Sequence, residues 1–340
     1  MAWRYERWTA DHRLPIGVVQ RPDVGERVNA GDVIATGVGL GTASRLLGAR
    51  RIGVPPGDLE RALRVPVGSE VRAGTVLART GRRFARAVTA PGDGRVLHVT
   101  TNGDVYFAPI VDRWVVRSTL DGEVTRSDDA RITVEGEAWC LPGVAAYGPD
   151  AVGEIALGVE SPLEDLAPSR VDVRLGGRIV IAGARAVPEV ITRGHACGVA
   201  GFVAGAAPAA GLRLVFGAGV SAAGAPSRDD RPTVLCLMGF GTAPLPREVF
   251  RLLTTLAGSR AAIHTASARL FVFAPADAAD APRDALQVGL AGDYGGVRTI
   301  SDGCAAAGEV AFASELRTGA LRCDGEVLPA ANVRPYVRAR

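Results

Sequence analysis

Any chemistry on this chain is done without lysine. All 39 of its basic side chains are arginine, which excludes a Schiff base, a lysine general base and a lysine-linked prosthetic group. Nucleophilic or metal chemistry is left to four histidines (His12, His98, His195, His264) and five cysteines (Cys140, Cys197, Cys236, Cys304, Cys323). His195 and Cys197 stand two apart in GHACG, and positions two apart on a helix diverge by about 200°. A Cys–His dyad needs side-chain contact. The pair therefore reads as a helix C-terminus, with the histidine favoured by the dipole and Gly198 as the cap. The other histidines and cysteines fall on separate elements without zinc-ligand spacing, so neither a metal nor a cofactor is expected. Asp128–Asp129 and Asp229–Asp230 lie in polar loops beside arginine or serine and read as solvated charge.

Two arrangements remain as candidate binding sites. Three apolar runs, GGRIVIAGA (176–184), VAGFVAG (199–205) and PTVLCLMGFG (232–241), read as buried strands ending in glycine. In an open parallel sheet ligands bind beyond the carboxyl ends of the strands. This makes Gly183, Gly205, Gly239, Gly241 and Thr242 the candidate ligand residues. Neither a GxGxxG fingerprint nor a phosphate loop ending in Gly-Lys-Ser/Thr accompanies them. The second arrangement is ARTGRRFAR (78–86), whose Arg79, Arg82, Arg83 and Arg86 crowd a predicted hairpin tip and are candidates for an anionic partner. Residues 1–100 hold 16 arginines against 9 acidic residues, a net of +7, while the rest of the chain nets −4. Such asymmetry steers acidic partners, nucleic acid or membrane surfaces. The aromatic content of 5% argues against a base-stacking surface.

The elements that must position these residues begin with a repeat. VGERVNAGDVIA (24–35) returns as VGSEVRAGTVLA (67–78), with seven of twelve positions identical. Alternating apolar residues around glycines predict strand, turn at Ala-Gly, strand. After the second copy comes an alternating run broken by APGDG (90–94), a sharp corner. The stretch 65–99, with GxxVxAGxVLA, a hairpin and APxDGxV, resembles the barrel-sandwich hybrid domains that carry lipoyl or biotinyl groups. In that family the modified lysine sits at the hairpin tip, seven residues before the alanine of Ala-Pro, which lands here on Arg83. The resemblance therefore implies the fold without lipoylation or biotinylation. The first copy is expected to form the other quasi-symmetric half of the same barrel. Between the copies, Pro55, Pro56 and Asp58 predict a helix start, giving two short inserted helices within 41–64.

Downstream, residues 111–175 keep a β pattern and read as an additional β module. From 176 to 290 apolar strands alternate with helical stretches, among them VPEVITRGHACG (187–198) and PREVFRLLTTLAG (246–258). This predicts a Rossmann-like three-layer α/β domain covered on both faces. The last fifty residues carry short runs between glycine turns. Their features at 303–310 and at DGEVLPAANV (324–333) resemble the small KOW-like β-barrels of ribosomal and transcription proteins.

On the carrier-domain resemblance, residues 1–110 are expected to form a barrel-sandwich hybrid, in a multidomain chain of mixed α and β class. Scattered cysteines and a charged start without an apolar signal core point to the cytoplasm. The longest uncharged run, 194–212, contains Pro208 and is mostly glycine and alanine, so no transmembrane segment is expected. The leading expectation is a non-enzymatic binding or assembly protein that docks a protein partner, or another copy of itself, through its β modules. One alternative is a small-molecule-binding protein or enzyme using the carboxyl edge of the α/β sheet. Another is nucleic-acid binding through the arginine-rich hairpin and C-terminal barrel.

Overall fold

The computed structural model describes residues 4–80, 86–143, 145–217, 220, 225–226, 230–240 and 244–279. Beyond these it describes the strand segments 294–299, 304–305, 320–323, 326–329 and 333–337. β1 (Arg4–Arg13) and β2 (Val18–Gln20) precede the first repeat copy. That copy forms β3 (Arg27–Val28) and β4 (Val33–Leu40). β5 (Ser44–Leu46), α1 (Gly48–Ile52), a 3-10 turn (Pro56–Asp58) and α2 (Leu59–Ala62) follow, placing the two short helices where the prolines predict them. The second copy forms β6 (Glu70–Val71) and β7 (Val76–Arg79).

Each copy closes on a later strand of its own. β3 pairs antiparallel with β11 (Gly122–Ser127), and β6 with β9 (Gly94–Val99). β4 pairs with the far end of β10 (Val105–Arg117), and β7 with β8 (Ala87–Thr89). The main-chain hydrogen bonds match one for one. Gly25 N–H donates to the Val124 carbonyl at 2.8 Å, and Gly68 N–H to that of Val96 at 2.7 Å. Gly31 N–H donates to Ser118 at 2.8 Å, and Gly74 N–H to Ala90 at 2.9 Å. The Asp121 carboxylate accepts the Ala30 N–H at 2.7 Å, and the Asp93 carboxylate the Ala73 N–H at 2.8 Å. Gly25, Gly31, Gly68 and Gly74 all have φ between +79° and +98°, so both copies keep glycine where the turn requires left-handed backbone.

The repeating unit is thus longer than twelve residues, and residues 118–124 are the counterpart of 90–96, both containing Asp-Gly-x-Val. The second unit is inserted between β4 and β10 of the first. Among the described residues the copies do not pair directly with each other; β4 and β6 belong to one six-stranded sheet, joined through β10 and β9. The inner unit has its own core of Ile52, Leu59, Leu77, Val88, Val96 and Phe107.

β12 (Arg131–Pro142) joins this part to the rest. It pairs with β1 along its length and with β11 and β20 (Arg269–Phe273) elsewhere. β13 (Ala145–Gly148), β14 (Ala151–Leu157), β15 (Arg178–Arg185), β16 (Gly201–Ala207), β18 (Thr233–Phe240) and β19 (Arg260–His264) belong to the same twelve-stranded sheet. A short β17 (Ala225–Pro226) lies at its edge beside β13. β14, β15, β16 and β18 are parallel and lie in sequential order. α3 (Pro188–Ala196) lies on the crossover from β15 to β16, and α4 (Ala209–Phe216) on the one from β16 to β18. α3 supplies Val190 and Ile191 and α4 Leu212 to one core, with Tyr147 and Phe202. α5 (Arg247–Thr255) covers the other face through Val249, Leu252 and Leu253.

The three layers of the α/β region are present, with two departures from expectation. The parallel layer begins at β14, ahead of residue 176, and β12, β13 and β14 from the stretch 111–175 belong to the same sheet as β15, β16 and β18. Among the described strands the parallel order also does not reverse, whereas a doubly wound sheet opens its ligand crevice at such a reversal. At the C-terminus, β21 (Tyr294–Thr299) pairs with β22 (Cys304–Ala305) and β25 (Val333–Val337), and β23 (Ala320–Cys323) with β24 (Glu326–Pro329). The remainder of the expected KOW-like barrel lies outside the described residues. Among those residues, no helix is long and apolar enough to cross a membrane.

Candidate functional site

Three elements remote in sequence meet at one point. β1 alternates strictly near its end: Ala10 and His12 face inward and are buried, while Asp11 and Arg13 are exposed. The turn from β13 to β14 carries Asp150. β19 ends at His264, followed by a 3-10 turn (Thr265–Ser267). His12 Nδ1 lies 3.6 Å from Asp150 Oδ2; the histidine side chain is fully covered, and the aspartate keeps 31% of its side chain exposed. The rings of His12 and His264 meet edge to face, with centroids 5.2 Å apart.

The hydrogen bonds fix the orientation of most of these groups. Thr265 N–H donates to Asp150 Oδ1 at 2.8 Å, and the Thr265 hydroxyl to the Pro149 carbonyl at 2.8 Å. The Thr233 hydroxyl donates to the same carbonyl. His264 Nε2 lies 3.2 Å from the Asp11 carbonyl, which can only accept. The ring proton is therefore assigned to Nε2, leaving Nδ1 to accept from the Ser267 hydroxyl at 2.6 Å. His12 is held less completely. Its Nε2 meets the Thr119 N–H at 3.4 Å. Its Nδ1 is buried without a hydrogen-bond partner, as is the Thr119 hydroxyl.

Electrostatics assign charges to the cluster. Burial pushes the His264 pKa down; the Asp150 carboxylate opposes this, while His12 and Arg269 add to it. His264 is therefore neutral at pH 7. Burial works to raise the Asp150 pKa, but the His12 contact, the neighbouring His264 and the Thr265 N–H together hold it below the usual carboxylate range. Asp150 is ionised. Directly after the 3-10 turn, Ala268 has φ +51° and ψ +49°. Among the described residues it is the one non-glycine with positive φ, a conformation that costs about 1–2 kcal/mol. The cluster brings two imidazoles and a carboxylate within 4.8 Å of one another, a set able to share a proton or hold a cation. Sequence reasoning placed His12 and His264 on separate elements and did not join them. The usable signal was the inward phase of His12 in the alternating run TADHR.

The residues singled out from sequence are distributed differently. Gly183 has φ +76°, and a Cβ there would lie 1.9 Å from the Glu164 carbonyl. Residues 164–166 bond along it, so its glycine answers a close backbone approach. Gly205 falls at a register shift in β16, and Gly239 follows one in β18 with φ +104°. Gly241 and Thr242 lie outside the described residues, as do Arg82 and Arg83. Arg79 ends β7 and Arg86 precedes β8, so the two flank the hairpin tip. His195 pairs with Asp230 at 3.2 Å, both exposed, whereas the Cys197 thiol points to the Val171 carbonyl. The helix ends there, with Gly198 at φ +72°.

An exposed strip runs along β10. Val111 (68% exposed) and Val115 (54%) alternate with Arg113 and Arg117, and Val33 on β4 lies opposite Arg117. Among the described residues, nine of the thirteen exposed large apolar side chains fall between Ile16 and Val115, which concentrates them on the nested units. A cleft of about 410 Å³ beside β1, β3, β11 and β12 is lined by Asp121, Glu123, Glu135 and Glu137 with Arg7 and Arg27. Arg7 and Glu135 pair across it at 2.9 Å. Compared with protein-family models, curated proteins and solved structures, the chain gives no match.

Proposed function

We propose that this chain is a non-enzymatic binding or assembly protein whose nested β units dock a protein partner. The carrying observation is the strip on β10, where the exposed Val111 and Val115 stand among Arg113 and Arg117. Contiguous exposed apolar surface marks interaction sites, and flanking arginines favour a partner whose contact face is acidic around an apolar centre. The net charge of +7 over residues 1–100 points the same way. On this reading the units keep the barrel-sandwich resemblance as a scaffold, and the twelve-stranded sheet behind them is a rigid support. The alternative at the carboxyl edge of the α/β sheet gains no support at Gly183, where the chain itself fills the approach. Nucleic acid would compete for the same arginines and is separated by the test.

A photo-crosslinking side chain placed at Val115, in the full chain expressed in its native host, should give one discrete protein adduct. The same group at Leu214, 78% exposed on α4, should give none. Equal labelling at both positions, nucleic-acid adducts or none at Val115 would contradict the reading.

A further inference from the structure

We infer that His12, Asp150 and His264 form a binding site for a divalent transition-metal ion of the zinc type. The ligand atoms come from three remote elements yet lie within 4.8 Å of one another. A zinc ion bound at about 2.0–2.1 Å holds tetrahedral ligands roughly 3.4 Å apart. His12 Nδ1 and Asp150 Oδ2, at 3.6 Å, are close to that separation already. Two imidazoles and one carboxylate select zinc-class ions over magnesium or calcium, which take oxygen ligands.

Independent support comes from what the site leaves unmade. A fully buried histidine nitrogen without a hydrogen-bond partner is expensive, and His12 Nδ1 is such an atom, facing the carboxylate. The surrounding bonds suit ligation. His264 donates its Nε2 proton to the Asp11 carbonyl, the outer contact that metal-bound histidines ordinarily make, which leaves Nδ1 for the ion. Thr265 N–H occupies Asp150 Oδ1 and leaves Oδ2 inward. Ligation asks two adjustments of the site. The Ser267 hydroxyl must turn away from His264 Nδ1, and the His12 proton must reside on Nε2, giving up the long 3.4 Å contact from Thr119. The exposed flank of Asp150 provides an entry path and leaves a fourth position to water.

The test uses the full chain, stripped with chelator and titrated calorimetrically with zinc ion and, separately, magnesium ion. The expected result is one zinc per chain at micromolar affinity or tighter, with no magnesium binding. Asp150→Asn should weaken zinc binding about 100-fold, and His264→Ala should weaken it at least as much. His195→Ala, at the exposed histidine of α3, should bind as the parent does. Absence of zinc binding, or binding lost in His195→Ala and unchanged in Asp150→Asn, would overturn the assignment. Should both site variants fail to fold, X-ray absorption on the zinc-loaded parent decides: two imidazoles in the shell support the site, and one or none overturns it.

Discussion

Trp139→Ala should destabilise the chain by about 4 kcal/mol, and the loss should appear in one unfolding transition that includes the N-terminal units. Trp139 is 2% exposed and packs into the α/β core with Ile155, Ile179 and Leu270. Its indole N–H also donates to the Pro275 carbonyl at 3.0 Å, and its ring meets Tyr5 edge-on at 5.8 Å. The neighbouring Ala138 and Cys140 face the opposite way, into the core of Trp114, Ile132 and Phe271. β12 and β20 therefore supply both cores from their two faces, and a cavity on one face loosens strands the other face needs. Urea unfolding can be followed by far-ultraviolet circular dichroism and by tryptophan emission, since Trp8 and Trp114 report on the N-terminal core. Coincident midpoints shifted together are expected; two separated transitions, with Trp114 unmoved, would contradict the shared-sheet account.

The second large effect distinguishes the two nested units. Asp121→Ala should cost about 2–3 kcal/mol and Asp93→Ala no more than about 1 kcal/mol. Both carboxylates accept an equivalent backbone N–H, from Ala30 and Ala73. Asp121 also pairs with Arg260 at the start of β19, tying the outer unit to the large sheet. That ion pair is partly exposed and adds no more than about 1 kcal/mol. Ala30 is buried, so its N–H left without an acceptor is the larger contribution at Asp121, whereas the Ala73 N–H is exposed and water replaces the lost carboxylate. Chemical denaturation of the two variants and of the double variant measures the difference. A loss at Asp93 equal to or larger than that at Asp121 would contradict the proposed roles.

The sequence made the two repeat copies plain because seven identities and two obligatory glycine turns survive in each. It concealed the nesting. The return segment of the outer unit, 118–124, shares with its counterpart 90–96 only the Asp-Gly-x-Val spacing, and its partner lies some ninety residues away. Helices were legible where proline or glycine bounds them: Pro246 precedes α5, and Gly198 follows the end of α3. The expected boundary at residue 176 falls between β14 and β15, which are neighbours in one sheet. Nothing local marks which sheet a short strand joins, so β13 and β14 read as part of a separate module. The His12–Asp150–His264 centre was illegible because sheet pairing, not local spacing, brings its members together. Only the inward phase of His12 was written locally.

Docking through the nested units is the central functional claim, and native mass spectrometry of the full chain purified from its host tests it most directly. The parent should carry a single protein partner in fixed stoichiometry, released as ionic strength rises. The Val111→Asp, Val115→Asp variant should fold as the parent does and arrive alone. A bare monomer from the parent, or a complex that the double variant retains in full, would contradict the claim.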